Sequence, residues 1–100
     1  MRRLKIKYRR LRDPDTRLIW DSPYLKHDHT TFVGWQNENM NVHERAWALP
    51  PLARWCRQQF GRRGDHRNWN QFKGSFCFRE EKMAFAFVMR WNGANPEEIK

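Results

Sequence analysis

Hydrophobic and polar residues alternate at the start of the chain. Leu4, Ile6 and Tyr8 are separated by basic residues, and this period of two is typical of a β-strand with one buried face. We therefore predict that residues 1–12 form a strand whose apolar side chains face a core. Its outer face and its ends would carry the basic residues Arg3, Lys5, Lys7, Arg9 and Arg10.

Residues 13–47 form a variable middle segment that holds two short apolar runs. Residues 18–20 follow the turn-forming sequence Asp13-Pro14-Asp15 and are interpreted as a strand that pairs with the first as a hairpin. Residues 31–35 are rich in β-branched and aromatic side chains and predict another short strand. Residues 37–41 contain three asparagines, a composition typical of a loop.

Apolar residues recur about every 3.6 positions in two segments within residues 48–93, and this spacing predicts two helices. The first would begin at Pro50-Pro51, because missing amide protons cost nothing in a first turn, and would end before Gly61. The second would open at Glu80-Glu81, where acidic residues favour the helix dipole, and would stop at Asn92-Gly93. Its buried stripe would be Ala84, Phe87, Val88 and Trp91.

Between the helices, Lys73-Gly74 is a two-residue connection that predicts a β-hairpin. The order of elements then contains strand, helix, strand, strand, helix, which is the βαββα part of a ferredoxin-like plait. The predicted fold is α+β, a small antiparallel sheet of three to four strands with two helices on one face. The last strand of the plait would be missing, or replaced by residues 18–20 or 32–35, and residues 94–100 would form a tail.

Composition supports one small aromatic domain with a strong positive charge. The chain has 100 residues, of which 39% are hydrophobic, including six Trp and seven Phe. Twenty Lys and Arg against 11 Asp and Glu give a net charge of +9, which favours encounters with polyanions. No apolar run approaches the roughly 20 residues of a membrane span, and no signal-peptide-like stretch is present. We expect a cytoplasmic protein with no membrane partner.

The residues that could support chemistry have structural explanations. Cys56 and Cys77 fall in apolar patterns and predict reduced core thiols, although a single disulfide also fits the sequence. His27-Asp28-His29, with Asp21 and His43, lacks the second ligand pair that is usual for tetrahedral zinc. The carboxylates of Asp13 and Asp15 flank a turn, and those of Glu80 and Glu81 open a helix. The sequence contains no phosphate-binding loop and no nucleophile motif. We expect no metal, no cofactor and no enzymatic activity.

The segment Lys73 to Phe78, followed by a helix that ends at Trp91, resembles the third strand and second helix of an RNA-recognition motif. That family stacks bases on exposed aromatic residues of the strand. Here Ser75 stands where the first ring would be, and Phe76 and Phe78 fit core positions equally well.

A longer pattern covers the chain from Trp55 to Gly93. Its positions are Trp55-Cys56, Phe60-Gly61, Trp69, Phe76-x-Phe78, Glu80-Glu81, Ala84, Phe87 and Arg90-Trp91. The pattern resembles that of short bacteriophage-encoded proteins of unknown function. The resemblance implies a phage accessory or virion protein. It implies no active site, since most of these positions are core positions.

The charge pattern favours a non-enzymatic module that binds nucleic acid, DNA or RNA, through its backbone. Arginine grips phosphates or carboxylates through a planar fork. Beside the first strand, the candidate contacts are Arg54, Arg57, Arg62, Arg63, Arg67 and Lys73. The alternative is a protein-binding subunit, a virion component or an inhibitor of a host enzyme, that meets an acidic surface. Its anchors would be Trp20, Trp35 and Trp47, because Trp is favoured at interface centres.

Overall fold

A four-stranded sheet and two helices make up the computed structural model, which describes residues 2–10, 27–64 and 67–96. The elements are β1 (Leu4–Arg10), β2 (His29–Trp35), α1 (Val42–Phe60), β3 (Trp69–Phe72), β4 (Ser75–Phe78) and α2 (Glu81–Trp91). The sheet is antiparallel, in the order β1-β2-β4-β3, and both helices cover one face. The predicted α+β class is confirmed, and the fold is of a small ferredoxin-like type. Within the described ranges, no helix is long and apolar enough to cross a membrane.

The N-terminal strand completes the sheet at an edge. Residues 29–91 follow the βαββα order, but the first strand of that unit is β2 rather than β1. β1 lies antiparallel to β2, with Leu4 opposite Trp35, and takes the position of the plait's last strand. The expectation that residues 32–35 replace that strand is wrong, because they lie in β2 between β1 and β4. A strand with one charged face suits an edge. Residues 18–20 lie outside the described residues.

Helix α1 begins well before the predicted start at Pro50. Asn41 caps it through a reciprocal pair of hydrogen bonds with Glu44, and the helix runs from Val42. Pro50 and Pro51 therefore lie inside the helix, although each removes one amide donor. The predicted boundary between residues 47 and 48 consequently cuts this helix. The first-turn prediction is wrong because the capping interactions let the helix start upstream of both prolines.

Alternation in β1 sorts its side chains as predicted. Leu4 and Ile6 are buried and Tyr8 is half-buried, whereas Lys5 and Lys7 are exposed. The sheet therefore has an inner face toward the helices and an opposite side that we call the open face. The fully buried aromatic core of the described residues consists of Trp69, Phe76, Phe78, Phe87 and Trp91.

Other short-range predictions are also confirmed. Lys73-Gly74 forms the turn between β3 and β4, and α2 buries Ala84, Phe87 and Trp91. Cys56 and Cys77 are buried, reduced thiols. Burial raises the pKa of the Cys56 thiol, which keeps this group neutral and unreactive.

The segment after α2 ties β1 in place. The Leu4 N–H donates to the Ala94 carbonyl (2.8 Å), and the Gly93 N–H donates to the Leu4 carbonyl (2.7 Å). The Ile6 N–H donates to Asn92 Oδ1 (2.9 Å). These bonds close part of the outer edge of β1 and fix the backbone that carries its basic side chains.

Candidate nucleic-acid interface

A groove of about 1080 Å³ lies between α1 and the β3–β4 hairpin, and we call it the basic groove. Its α1 side is a stripe of residues three and four apart, which the helical period places on one face. Trp69 and Gln71 of β3 form the facing wall, and Leu49 and Ala53 add apolar surface. Six cationic side chains line it, with no acidic residue among the described lining: Arg45, Arg54, Arg57, Arg62, Arg63 and Lys73.

These six cations have no ion-pair partner among the described residues. The ion pairs found there lie elsewhere: Arg2 with Glu38 and Glu44, Arg10 with Asp28, and Lys82 with Glu80. Arg63 Nη1 instead donates a long hydrogen bond to Gln71 Oε1 (3.4 Å). Like charges gathered around one concavity repel each other and raise the local concentration of anions.

Arg45 belongs to the groove but was missed in the sequence. Its Nε is buried and has no hydrogen-bond partner among the described residues. A Cβ added to Gly74 would lie 3.2 Å from that nitrogen, so glycine at the turn makes room for the guanidinium. The prediction failed because the helix was started at Pro50. The pattern Asn41-x-x-Glu44, a helix-start signal, would have placed Arg45 on α1.

The basic residues of β1 separate into two groups. Lys5, Lys7 and Arg9 are exposed and alternate with core residues, so they line the open face as a set that we call the cationic row. The side chains of Arg3 and Arg10 instead contact other groups of the protein. Arg3 Nη1 donates to the Gly93 carbonyl (2.9 Å), and Arg10 Nε lies 3.2 Å from Asp28 Oδ2.

The open face also carries two exposed aromatic rings that the sequence did not single out. Phe32 of β2 is 37% exposed and Phe72 of β3 is 45% exposed. Both lie opposite Ser75 of β4, and Lys7 lies opposite Phe32. One row across the sheet therefore reads Lys7, Phe32, Ser75, Phe72. In contrast, Phe76 and Phe78, the strand aromatics in the segment that resembles the RNA-recognition motif, are fully buried in the core.

Histidines 27 and 29 make structural contacts. His27 is fully buried, and its Nε2 donates to the carbonyl of Arg67 (2.7 Å). His29 Nδ1 and the Tyr8 hydroxyl are joined by a hydrogen bond (2.7 Å). Among the described residues, no group of three His, Cys, Asp or Glu could hold a metal ion. Asp21 lies outside the described residues.

The remaining candidate residues are dispersed. The Arg67 side chain is exposed but does not line the basic groove. Of the three tryptophans considered as partner anchors, Trp35 is buried and Trp20 lies outside the described residues. Trp47 is 43% exposed, and its ring centroid lies 5.7 Å from that of Trp35. Among the described residues, Trp47 is therefore the one proposed tryptophan anchor that a protein partner could contact.

Comparisons of the chain with protein-family models, with curated proteins and with solved structures found no match. The site must therefore be interpreted from its own geometry and charge.

Proposed function

We propose that this protein is a non-enzymatic nucleic-acid-binding module that holds the phosphate backbone in the basic groove. The observation that carries the proposal is the set of six cations around one concavity, without ion pairs among the described residues. A phosphate entering the groove would relieve their mutual repulsion. The planar guanidinium can also donate two parallel hydrogen bonds to one phosphate.

The length of the groove suits several phosphates. Arg45 and Arg57 are the first and last cations of its α1 stripe, with backbones about 18 Å apart at a rise of about 1.5 Å per residue. Arg54 lies between them, and Arg62 and Arg63 follow the helix in the adjacent loop. The helix holds the backbones of these arginines at fixed separations, so their side chains can reach successive phosphates of a regular backbone. The cationic row adds a second contact surface on the open face.

Binding of this kind follows counterion release. Phosphate contacts carry no base information, so affinity should depend weakly on sequence and steeply on salt. The resemblance to short phage proteins supports, as a further part of the proposal, an accessory role of phage type.

Fluorescence anisotropy with labelled single-stranded DNA, single-stranded RNA and duplex DNA tests the proposal. We expect binding at about 50 mM salt and a loss of about 10³-fold or more in affinity by about 200 mM. Absence of association with all three at low salt contradicts it. Recovery of an acidic protein partner from nuclease-treated lysate, together with that absence, would favour the alternative of a protein-binding subunit.

A further inference from the structure

One end of the basic groove lies where the N-terminal part of α1 meets the turn between β3 and β4. Arg45 of α1 and Lys73 of the turn both line the groove. A Cβ added to Gly74 would lie 3.2 Å from Arg45 Nε and 3.6 Å from its guanidinium carbon, so the guanidinium packs against the backbone of Gly74. Since Lys73 precedes Gly74 in the chain, two cations meet at this end of the groove.

The sequence of the turn is the reverse of what backbone preference favours. Lys73 adopts a φ of 55°, in the left-handed region where lysine is rare and glycine or asparagine is favoured. The φ of Gly74 lies outside that region, so the glycine is explained by the close approach of Arg45 rather than by its own backbone angles. Retaining lysine at the left-handed position has a conformational cost. That cost is explained if the placement of both cations serves binding.

Arg45 differs from the other cations of the groove in its burial. It is half-buried, and its Nε is inaccessible and has no hydrogen-bond partner among the described residues. Buried donors without a partner are unfavourable and rare in native proteins. Partial burial also strengthens the attraction between a cation and an anion, because less water screens the pair. The other five cations are exposed: Arg54, Arg57, Arg62, Arg63 and Lys73.

The surroundings of Arg45 leave its charge uncompensated. It lies near the N-terminus of α1, where the helix dipole favours anions and disfavours cations. The neighbouring acid, Glu44, is occupied by the Asn41 N–H and by an ion pair with Arg2. An anion at this end of the groove would therefore be attracted by Arg45, Lys73 and the helix N-terminus together.

We propose that Arg45 and Lys73 form an anchoring phosphate subsite, which binds one phosphate group of the nucleic acid more tightly than the exposed arginines of the groove do. This inference rests on the proposed function and names the contact that dominates it. The guanidinium, packed against Gly74, can donate two parallel hydrogen bonds to the phosphate from its terminal nitrogens. The Lys73 ammonium adds a second positive charge.

The matched test compares Arg45→Lys with Arg57→Lys. Both substitutions keep the net charge and remove a guanidinium, and both positions line the groove on α1. They differ in burial, because Arg57 is exposed. Anisotropy with a labelled single strand measures affinity, and unfolding midpoints confirm that the variants fold.

We expect Arg45→Lys to lose about tenfold in affinity, because a planar fork is replaced by a point charge. Arg57→Lys should stay within about twofold of wild type, since an exposed cation acts mainly through its charge. Equal affinities of the two variants overturn the inference but leave the proposed function standing. Absence of binding by the wild-type protein at low salt overturns the proposed function itself.

Nuclear magnetic resonance tests the subsite without nucleic acid. In a proton–nitrogen correlation spectrum, the Nε–H signal of Arg45 is assigned by its absence in Arg45→Lys. Inorganic phosphate should shift this signal, and should shift it more than chloride does at the same ionic strength. Equal shifts with the two anions would contradict a phosphate subsite at Arg45.

Discussion

Asn41 and Glu44 exchange two hydrogen bonds across the first turn of α1. Asn41 Oδ1 accepts from the Glu44 N–H (2.8 Å), and Glu44 Oε1 accepts from the Asn41 N–H (3.0 Å). This pair satisfies backbone donors that the helix itself leaves unpaired. It also starts the helix far enough upstream to place Arg45 in the basic groove.

The substitution Asn41→Ala should lower the free energy of unfolding by about 1 kcal/mol, because one capping acceptor is lost. Urea denaturation followed by circular dichroism measures the change. The control is Asn39→Ala, at an exposed position of the preceding loop. Equal effects of the two substitutions would show that the cap does not stabilise α1.

The two faces of β1 should respond oppositely to substitution. Ile6→Asp buries a carboxylate in the core and should cost about 4 kcal/mol or more, enough to unfold much of the protein. Lys7→Gln changes an exposed side chain and should alter stability by no more than about 0.5 kcal/mol. Thermal denaturation of both variants checks this. A folded Ile6→Asp protein with a wild-type midpoint would refute the assignment of the buried face.

Lys73→Gly should separate stability from binding. Glycine adopts a positive φ without the steric cost that lysine has at this turn, so the variant should be more stable by up to about 1 kcal/mol. It should also bind nucleic acid more weakly, with a salt slope reduced by about 1, because one phosphate contact is lost. Denaturation and anisotropy are measured on the same preparation. Unchanged affinity would remove Lys73 from the interface.

Tyr8 should make the protein less stable at alkaline pH. Burial raises the pKa of Tyr8, and the negative charges of Glu81 and Asp28 add to this while Arg10 opposes it. Above about pH 10 the unfolded chain releases the phenolic proton, whereas the folded chain retains it. The contribution of Tyr8 to stability is therefore complete below about pH 10 and decreases as the pH rises.

The variant Tyr8→Phe isolates this effect. It loses the hydrogen bond to His29 at every pH but should show a smaller decrease in stability between about pH 9 and pH 11 than wild type. Urea denaturation at both pH values gives the difference. Parallel decreases in the two proteins would contradict a raised pKa for Tyr8.

The most accurate predictions from the sequence concern the buried faces of single helices and strands, which depend on residues close together in the chain. The alternating pattern predicted that Leu4 and Ile6 are buried, and the helical stripe predicted the same for Ala84 and Phe87. Both predictions are confirmed. The predicted start of α1 at Pro50 is wrong because the capping pair Asn41 and Glu44 starts the helix upstream of both prolines. Local patterns thus identified elements more reliably than their ends.

The interface depends on contacts between distant parts of the chain. Arg54 and Lys73 were each recognised as basic, but they meet in one groove because the hairpin packs beside α1. The exposure of Phe32 depends on strand register, since a shift of one residue would turn its ring to the core. Which strands pair, and in which register, is part of the tertiary structure, and a single sequence does not determine it.

The salt dependence of binding tests the central claim, that the basic groove holds phosphates, most directly. The groove variant Arg54→Gln/Arg57→Gln/Arg62→Gln is compared with Arg79→Gln/Lys82→Gln/Arg90→Gln, which removes equal charge at exposed positions outside the groove. For a labelled single strand, we predict that the groove variant reduces the slope of log affinity against log salt by about 2, and that the control retains the wild-type slope. Equal slopes for the two variants would contradict the account.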